Sequence, residues 1–331
     1  VLRGWIVILL LSIGSGAKDY RTNPQVVAFM DRMEQVYHFK RSYLERILSS
    51  VTPQPKALKC FVPRPITPMT PQRRAILNRL YPKYGAWDRY IKYRLTPQRI
   101  RQGKAFLATH RRVFDQVEKR YGVPREYVAA IIGIETVYGA NVGKFPLFDT
   151  LVTLAFEPNR RNRFFRKQLE AFIVLVYRQK LMLHAIKGSY AGAIGLGQFI
   201  PSNYEAYGVD MNGDGKIRLL EPADAIASIA NYLKQNGWRA GEVVATRVSY
   251  EGNRFHTYPT GYNRTYRREA LEGIAPKYAP WDYHDKVRLI KLNRTAYDEL
   301  WYGAKNFYVL TRYNHSAYYA MAVHQLAVAL R

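Results

Sequence analysis

The sequence predicts a mainly α-helical (α+β) protein with one small β-containing insertion. Three observations carry that expectation. Apolar residues recur at three- and four-residue spacing along much of the chain, Pro and Gly punctuate those runs, and alternation is confined to about 243–290. With 48% apolar and 14% aromatic residues, the 331-residue chain has ample material for a core. Single cores stop growing near ~250–300 residues, so two or three structural units are expected.

Taken in order, Arg3 precedes the apolar run from Trp5 to Leu11, and small residues from Ser12 to Ala17 follow it. This reads as a secretory signal peptide over 1–17, too short to span a bilayer comfortably. No Cys follows the run, so no lipid-anchored form is expected. A buried N-terminal helix is the alternative. From Val26 to Leu48, Val26, Phe29, Met30, Met33, Val36, Tyr37, Leu44, Ile47 and Leu48 predict an amphipathic helix opened by Asn23-Pro24.

The Pro-rich stretch from Pro53 to Pro71 is expected to be an extended surface connector. Thr96-Pro97 opens a second helix, whose Phe106, Leu107, His110, Val113, Phe114 and Val117 share a face; His110 is expected to pack there rather than ligate. Gly122-Val123-Pro124 starts a third helix, ended by Gly139, and Asp149 could cap a fourth. A long apolar helix is expected around Leu169–Ile186. Val244–Val248 and Val287–Ile290 read as short strands, with turns at Gly252-Asn253 and Pro259-Thr260-Gly261. Helical spacing returns near Tyr318.

The charge narrows the function. Lys and Arg number 51 against 25 Asp and Glu, a formal +26, which predicts an anionic partner: nucleic acid, a membrane surface or an acidic wall polymer. An exported chain makes nucleic acid a poor candidate. The single cysteine, Cys60, supports neither a disulfide framework nor a thiolate metal site.

Five stretches could carry chemistry. Glu135 is the lone carboxylate in the apolar run Ala129–Gly139, where desolvation would raise its pKa and keep it protonated, as a general acid requires. The bland alternative is a helix-end Glu that turns its carboxylate to water. Asp210, Asn212, Asp214, Gly215, Ile217 and Glu221 follow the spacing of a calcium-binding EF-hand loop, with Lys216 offering only its carbonyl. Its alternative is a plain turn. The Gly-rich run Gly188–Ser202 lets backbone approach a ligand, with Ser189 and Gln198 as hydrogen-bonding groups, although tight helix packing would use the same residues. Arg160-Arg161-Asn162-Arg163-Phe164-Phe165-Arg166-Lys167 is either a solvated face or an anion contact. The tyrosine-rich end, from Tyr308 through Tyr313 to Tyr319, suits sugar faces and ordinary cores equally.

Together these stretches resemble the lytic murein transglycosylases of the B type. The resemblance rests on Ile134-Glu135-Thr136-x-Tyr138-Gly139, on Gly188-Ser189-x-Ala191-Gly192-Ala193-x-Gly195-x-Gly197-Gln198-Phe199-x-Pro201-Ser202 and on the aspartate loop from Asp210. It continues in Asp224-Ala225-Ile226-x-Ser228-x-Ala230-Asn231-Tyr232, in Gly237-Trp238 and in Arg312-Tyr313-Asn314-x-Ser316-x-x-Tyr319-Ala320-Met321. It covers most of the chain from about residue 120 onward.

The resemblance implies a lysozyme-like core domain with a helical N-terminal domain and a small β-containing insertion. The expected division is a signal peptide over 1–17, a helical domain with the Pro-rich connector over 18–118, and a catalytic core with the EF-hand-like loop over 119–240. The insertion would follow over 241–304, and the chain would return to the core over 305–331. The implied activity is periplasmic cleavage of the β-1,4 bond between N-acetylmuramic acid and N-acetylglucosamine, without water. The muramic 6-hydroxyl attacks its own anomeric carbon, giving 1,6-anhydro ends.

By the motif match Glu135 is acid and then base; Ser189, Gln198, Tyr232, Tyr313 and Tyr319 line the sugar cleft; and Arg160 and Arg161 lie near glycan or peptide carboxylates. Calcium is implied as a structural ion held by Asp210, Asn212, Asp214, Lys216 and a late acid. The family pattern places that acid at Asp224, whereas EF-hand spacing places it at Glu221. No organic cofactor is implied. Peptidoglycan strands are the implied partner of a monomer, cell-wall synthesis or division proteins are further candidates, and nucleic acid is not. Ordinary glycosidases need two carboxylates; no second acid is embedded as Glu135 is, and an intramolecular nucleophile, helped by the substrate's acetamido group, removes the need for one. A lysozyme-type muramidase and a non-catalytic peptidoglycan-binding protein are the alternatives.

Overall fold

A computed structural model describes residues 16–63, 69–80, 84–252, 254–278 and 280–331. The expected apolar run of the signal peptide, Pro65 and Pro68 of the connector, and Asn253 of the expected turn lie outside the described residues. The chain is mainly helical, as predicted. In order come α1 (Pro24–Tyr37), α2 (Arg41–Leu48), α3 (Pro55–Leu58), α4 (Pro71–Leu80), α5 (Ala86–Ile91), α6 (Pro97–Thr109), α7 (Arg111–Tyr121) and α8 (Arg125–Thr136). Then follow β1 (Phe145–Pro146), α9 (Leu147–Phe156), α10 (Asn162–Arg178), β2 (Lys187–Gly188), α11 (Pro201–Tyr207) and α12 (Pro222–Gln235). Strands β3 (Ala245–Tyr250), β4 (Ile274–Pro276), β5 (Arg288–Asn293) and β6 (Asp298–Gly303) precede α13 (Lys305–Tyr313) and α14 (Ala317–Leu330).

The described residues group into two compact units, each discontinuous in sequence. The first holds 16–63 with Lys144–Gly192; the second holds those between 69 and 143 with Ala193–Arg331. This grouping differs from the linear division expected from the sequence, in which 18–118 form one domain. Hydrophobic period reports which face of a helix is buried, and not which distant segment covers it.

In the first unit, Asn23 caps α1 by accepting from the Gln25 N–H, and Pro24 occupies the first turn. The single helix predicted over 26–48 is two, because His38 turns left-handed (φ 59°) and reverses the chain after Tyr37. The apolar stripe survives the break, since Val26, Met33, Leu44 and Leu48 are fully buried. The Pro-rich stretch is not wholly extended: Pro55 starts the one-turn helix α3, where a missing N–H does no harm. Asp149 is not the cap of α9, whose cap position is Pro146; it stands in the first turn, where an acid also suits the helix dipole. The helix expected over 169–186 begins earlier, at Asn162, and ends at Arg178.

In the second unit the helix predicted from Thr96-Pro97 also divides, at His110, whose ring packs on Phe106 with centroids 4.5 Å apart. Helix α8 is buried on almost every side and packs against α6, α7, α12 and α14. Burial of a side chain such as Ile131 or Ile132 stabilises by roughly 1.5–3 kcal/mol. The β-containing region forms one antiparallel sheet in the order β4-β3-β6-β5, with Val248 opposite Leu300 and Leu289 opposite Tyr302. Its own small core includes Val248, Phe255, Leu289, Leu300 and Tyr302. Among the described residues no helix is long and apolar enough to cross a membrane.

Candidate active site

Glu135 is the penultimate residue of α8, and the backbone beyond it is unusual. The helix stops not at Gly139 but three residues earlier: Val137 and Tyr138 both adopt left-handed backbone (φ 54° and 57°) before Gly139 follows at 94°. Left-handed backbone in a β-branched residue is unfavourable by roughly 1–3 kcal/mol, so the surroundings must hold it. Two contacts do so. The Tyr138 ring is keyed against α6 and α8, and a Cβ on Gly103 or Gly133 would lie 2.2 or 2.5 Å from its hydroxyl. The Thr136 hydroxyl donates to the Leu196 carbonyl at 2.9 Å and accepts from the Gly139 N–H at 3.2 Å. The motif Glu-Thr-x-Tyr-Gly is therefore a device for ending a helix at its acid.

Among the described residues, the Glu135 carboxylate accepts one hydrogen bond, from the Tyr319 hydroxyl at 2.7 Å. Burial among apolar groups pushes its pKa up to about 7; Tyr319 and, more weakly, the positive charge of Arg94 pull the other way. Tyr319 is almost fully buried, and its ring lies parallel to that of Tyr313, with centroids 6.2 Å apart. Burial and the nearby Glu135 charge raise both phenols well above their ordinary value, so both are hydroxyl donors. Among the described residues of this unit no second carboxylate contributes to the Glu135 shift.

Of the remaining predicted residues of this unit, Tyr313 packs on Tyr319 and Tyr232 packs on Tyr313. Tyr313 donates to the Gly197 carbonyl at 2.5 Å, and a Cβ on Gly197 would come within 2.7 Å of the same oxygen. Tyr232 lies behind it: the rings are 5.0 Å apart, and its hydroxyl donates to the Arg312 carbonyl at 2.6 Å. Gln198 is left-handed (φ 51°), and its amide nitrogen donates to the carbonyls of Gly195 and Val142 at 3.0 and 3.2 Å. The sequence reading missed Arg94, whose positive charge acts on Glu135, and Tyr90, a phenol raised by burial and, less, by the Glu135 charge. The Arg94 guanidinium lies 3.8 Å from the centre of the Tyr90 ring and donates to the Tyr90 carbonyl at 2.7 Å. Trp87 and Tyr90 share a face of α5, and Arg94 lies in the turn after Ile91, so helical spacing could signal only the first two.

Ser189, Arg160 and Arg161 belong to the first unit. The Ser189 hydroxyl accepts from the Ala191 N–H at 3.3 Å. Arg160 and Arg161 are exposed, and the Arg161 guanidinium lies 4.1 Å from the centre of the Phe164 ring.

The aspartate loop is built on its own backbone. Asp210 accepts from the N–H groups of Gly213 and Gly215 at 2.7 and 2.8 Å, Asn212 from Asp214 at 3.1 Å, and Asp214 from Lys216 at 2.9 Å. Gly213 and Gly215 supply the left-handed backbone (φ 76° and 79°). The two acids proposed for the late position differ. Glu221 is half exposed, pairs with Arg218 at 3.3 Å and accepts from the Asn212 side-chain amide at 3.3 Å, whereas Asp224 is fully buried and accepts from the loop N–H groups of Met211 and Arg218 at 2.9 and 2.7 Å. Arg218 also bonds Asp214, holding that carboxylate below its ordinary range. Among the described residues no three His, Cys, Asp or Glu side chains are gathered as a metal centre. The loop instead offers hard oxygens from Asp210, Asn212, Asp214 and the Lys216 carbonyl, a donor set that fits calcium.

The model of the transglycosylase SLT domain family matches residues 21–328. The chain belongs to this family. Membrane-bound lytic murein transglycosylase B of Escherichia coli (strain K12) is 36% identical over 315 residues, covering 94% of this chain and 84% of that protein. The structure of the E. coli lytic transglycosylase SLT35 in complex with calcium matches with a TM-score of 0.84 and 35% identity over 98% of each chain. SltB3 from Pseudomonas aeruginosa, in complex with NAG-NAM-pentapeptide, matches with a TM-score of 0.77 and 29% identity over 92% of this chain and 78% of that one. The SLT-family chain is thus a lytic transglycosylase on a lysozyme-like helical fold, as its sequence predicts.

Proposed function

We propose that this lytic transglycosylase cleaves the β-1,4 bond between N-acetylmuramic acid and N-acetylglucosamine in periplasmic peptidoglycan without adding water, using Glu135 first as acid and then as base. The observation that carries the reading is a single partly buried carboxylic acid, poised near pH 7, with one phenol donor. In its protonated form Glu135 gives its proton to the glycosidic oxygen as the bond to the anomeric carbon breaks. The carboxylate left behind is stabilised by the Tyr319 hydroxyl and the Arg94 charge. It then removes the proton of the muramic 6-hydroxyl as that oxygen bonds the anomeric carbon. The proton returns to Glu135, water takes no part, and one 1,6-anhydro end forms for each bond cut.

In this reading Tyr313 and Gln198 shape the sugar site through the Gly195–Gln198 backbone, and Tyr232 supports Tyr313. Ser189, Arg160 and Arg161 contact the glycan and its carboxylates, as the motif match implies. The loop takes calcium through Asp210, Asn212, Asp214, the Lys216 carbonyl and Asp224, and Glu221 remains with Arg218. Calcium, when bound, holds the turn together and supplies no chemistry to the bond cleavage. Mass spectrometry of a muropeptide digest tests the reaction: anhydro ends are expected, and reducing ends would replace this reading with that of a muramidase.

A further inference from the structure

The first unit carries a surface feature that the cleavage reaction does not use. Two adjoining hollows, each of about 540 Å³, share Tyr43, Arg46 and Tyr177, where the end of α2 meets the end of α10. Phe39, Tyr43 and Tyr177 form an aromatic cluster there: Phe39 and Tyr43 lie nearly parallel at 5.8 Å, and Tyr177 meets them edge-on at 4.8 and 6.0 Å. Phe39 is buried and Tyr43 half-buried, so the platform is fixed, while Tyr177 is 62% exposed. Three exposed cations, Lys40, Arg46 and Lys180, stand around it, and none makes an ion pair among the described residues. Lys180 holds left-handed backbone (φ 52°), which turns the chain back at the end of α10.

The cations exceed what the two helix ends call for. Lys40 is the N-cap residue of α2, where the helix dipole calls for no cation, and the C-terminus of α10, with Arg178 in its last turn, carries only roughly half a negative charge. A flat ring beside unpaired cations suits a ligand that offers an apolar sugar face and carboxylates together. We propose that this groove is a second binding site for the wall polymer, separate from Glu135, in which a sugar stacks on Tyr177 and peptide-stem carboxylates meet Arg46 and Lys180. This rests on peptidoglycan being the substrate. Its effect is to keep the enzyme on an insoluble polymer while bonds are cut elsewhere on the protein.

The test compares Glu135→Gln with the same protein also carrying Arg46→Glu and Lys180→Glu, and with one carrying Tyr177→Ala, by co-sedimentation with purified insoluble murein. Because the substituted side chains are exposed, melting temperatures should match the parent. The expected result is at least a fivefold weaker apparent affinity for each variant, with turnover of soluble tetrasaccharide-peptide fragments within twofold of normal when Glu135 is intact. Unchanged sedimentation overturns the proposal, as does no sedimentation of the parent. Selective loss of binding to phosphatidylglycerol vesicles, with murein binding intact, overturns it in favour of a lipid surface. The products of a digest decide the cleavage reaction and not this site, so the two readings fail separately.

Discussion

Glu135 and the loop from Asp210 to Asp224 are two acid-bearing regions of the second unit, and they treat a carboxylate in opposite ways. At the end of α8 one acid meets a single phenol donor amid apolar side chains, and its pKa rises to about 7. In the loop, backbone N–H groups and the Arg218 guanidinium converge on the acids, and Asp214 is held below its ordinary range. Both regions depend on left-handed backbone, but the loop obtains it from Gly213 and Gly215 and the active site from Val137, Tyr138 and Gln198. The difference teaches that donor count sets the task. Few donors leave an acid able to move a proton, while many make it an ion ligand.

The contrast is broken most completely at its centre. Glu135→Gln should lower release of anhydro products from murein by at least roughly a thousandfold, because it removes the group proposed to carry the proton. The same variant reports the cost of burial. The folded-state pKa is raised from 4.5 to about 7, so the folded protein keeps a proton that the unfolded chain releases. The Glu135 contribution to stability is fully present below the unfolded value and is lost as pH rises through the folded one. Above pH 7, chemical denaturation should therefore find Glu135→Gln more stable than the parent by about 1–3 kcal/mol.

A smaller effect removes the only donor. Tyr319→Phe takes away the bond that lowers the Glu135 pKa, so the alkaline limb of the pH–rate profile should move up by about one pH unit and the maximal rate fall roughly tenfold. Arg94→Ala should shift the limb in the same direction by less. A downward shift in either variant would contradict the electrostatic assignment. In the loop, calcium should raise the melting temperature by several degrees, and Asp210→Ala should abolish that response. Arg218→Ala, which frees Asp214 and Glu221 from their internal cation, should tighten calcium binding modestly by calorimetry.

Much of this contrast was legible in the sequence, because each half depends on local pattern. A lone Glu in an apolar helical run predicts desolvation, and Asp-x-Asn-x-Asp-Gly predicts a turn of oxygen ligands whatever surrounds it. The breaks at His38 and His110 were not legible, since the apolar stripe passes through both and neither position is Gly or Pro. Tyr90 and Arg94 escaped because α5 is short, Arg94 lies beyond its end, and their relation to Glu135 exists only in the packed unit. The roles of Gly103 and Gly133 were equally hidden: each is defined by the phenol of Tyr138, which lies beyond the end of α8. The choice between Glu221 and Asp224 needed burial, which spacing does not report.

Leu196 joins the two regions. Its carbonyl holds Thr136, the neighbour of Glu135, while its N–H is bonded to the Leu219 carbonyl at 2.8 Å, at the far end of the aspartate loop. One residue thus serves as a tie-rod from the ion-binding turn to the proton donor. Slackening the turn is therefore expected to reach the cleavage rate as well as the melting curve, though no atom of the loop belongs to the reacting group.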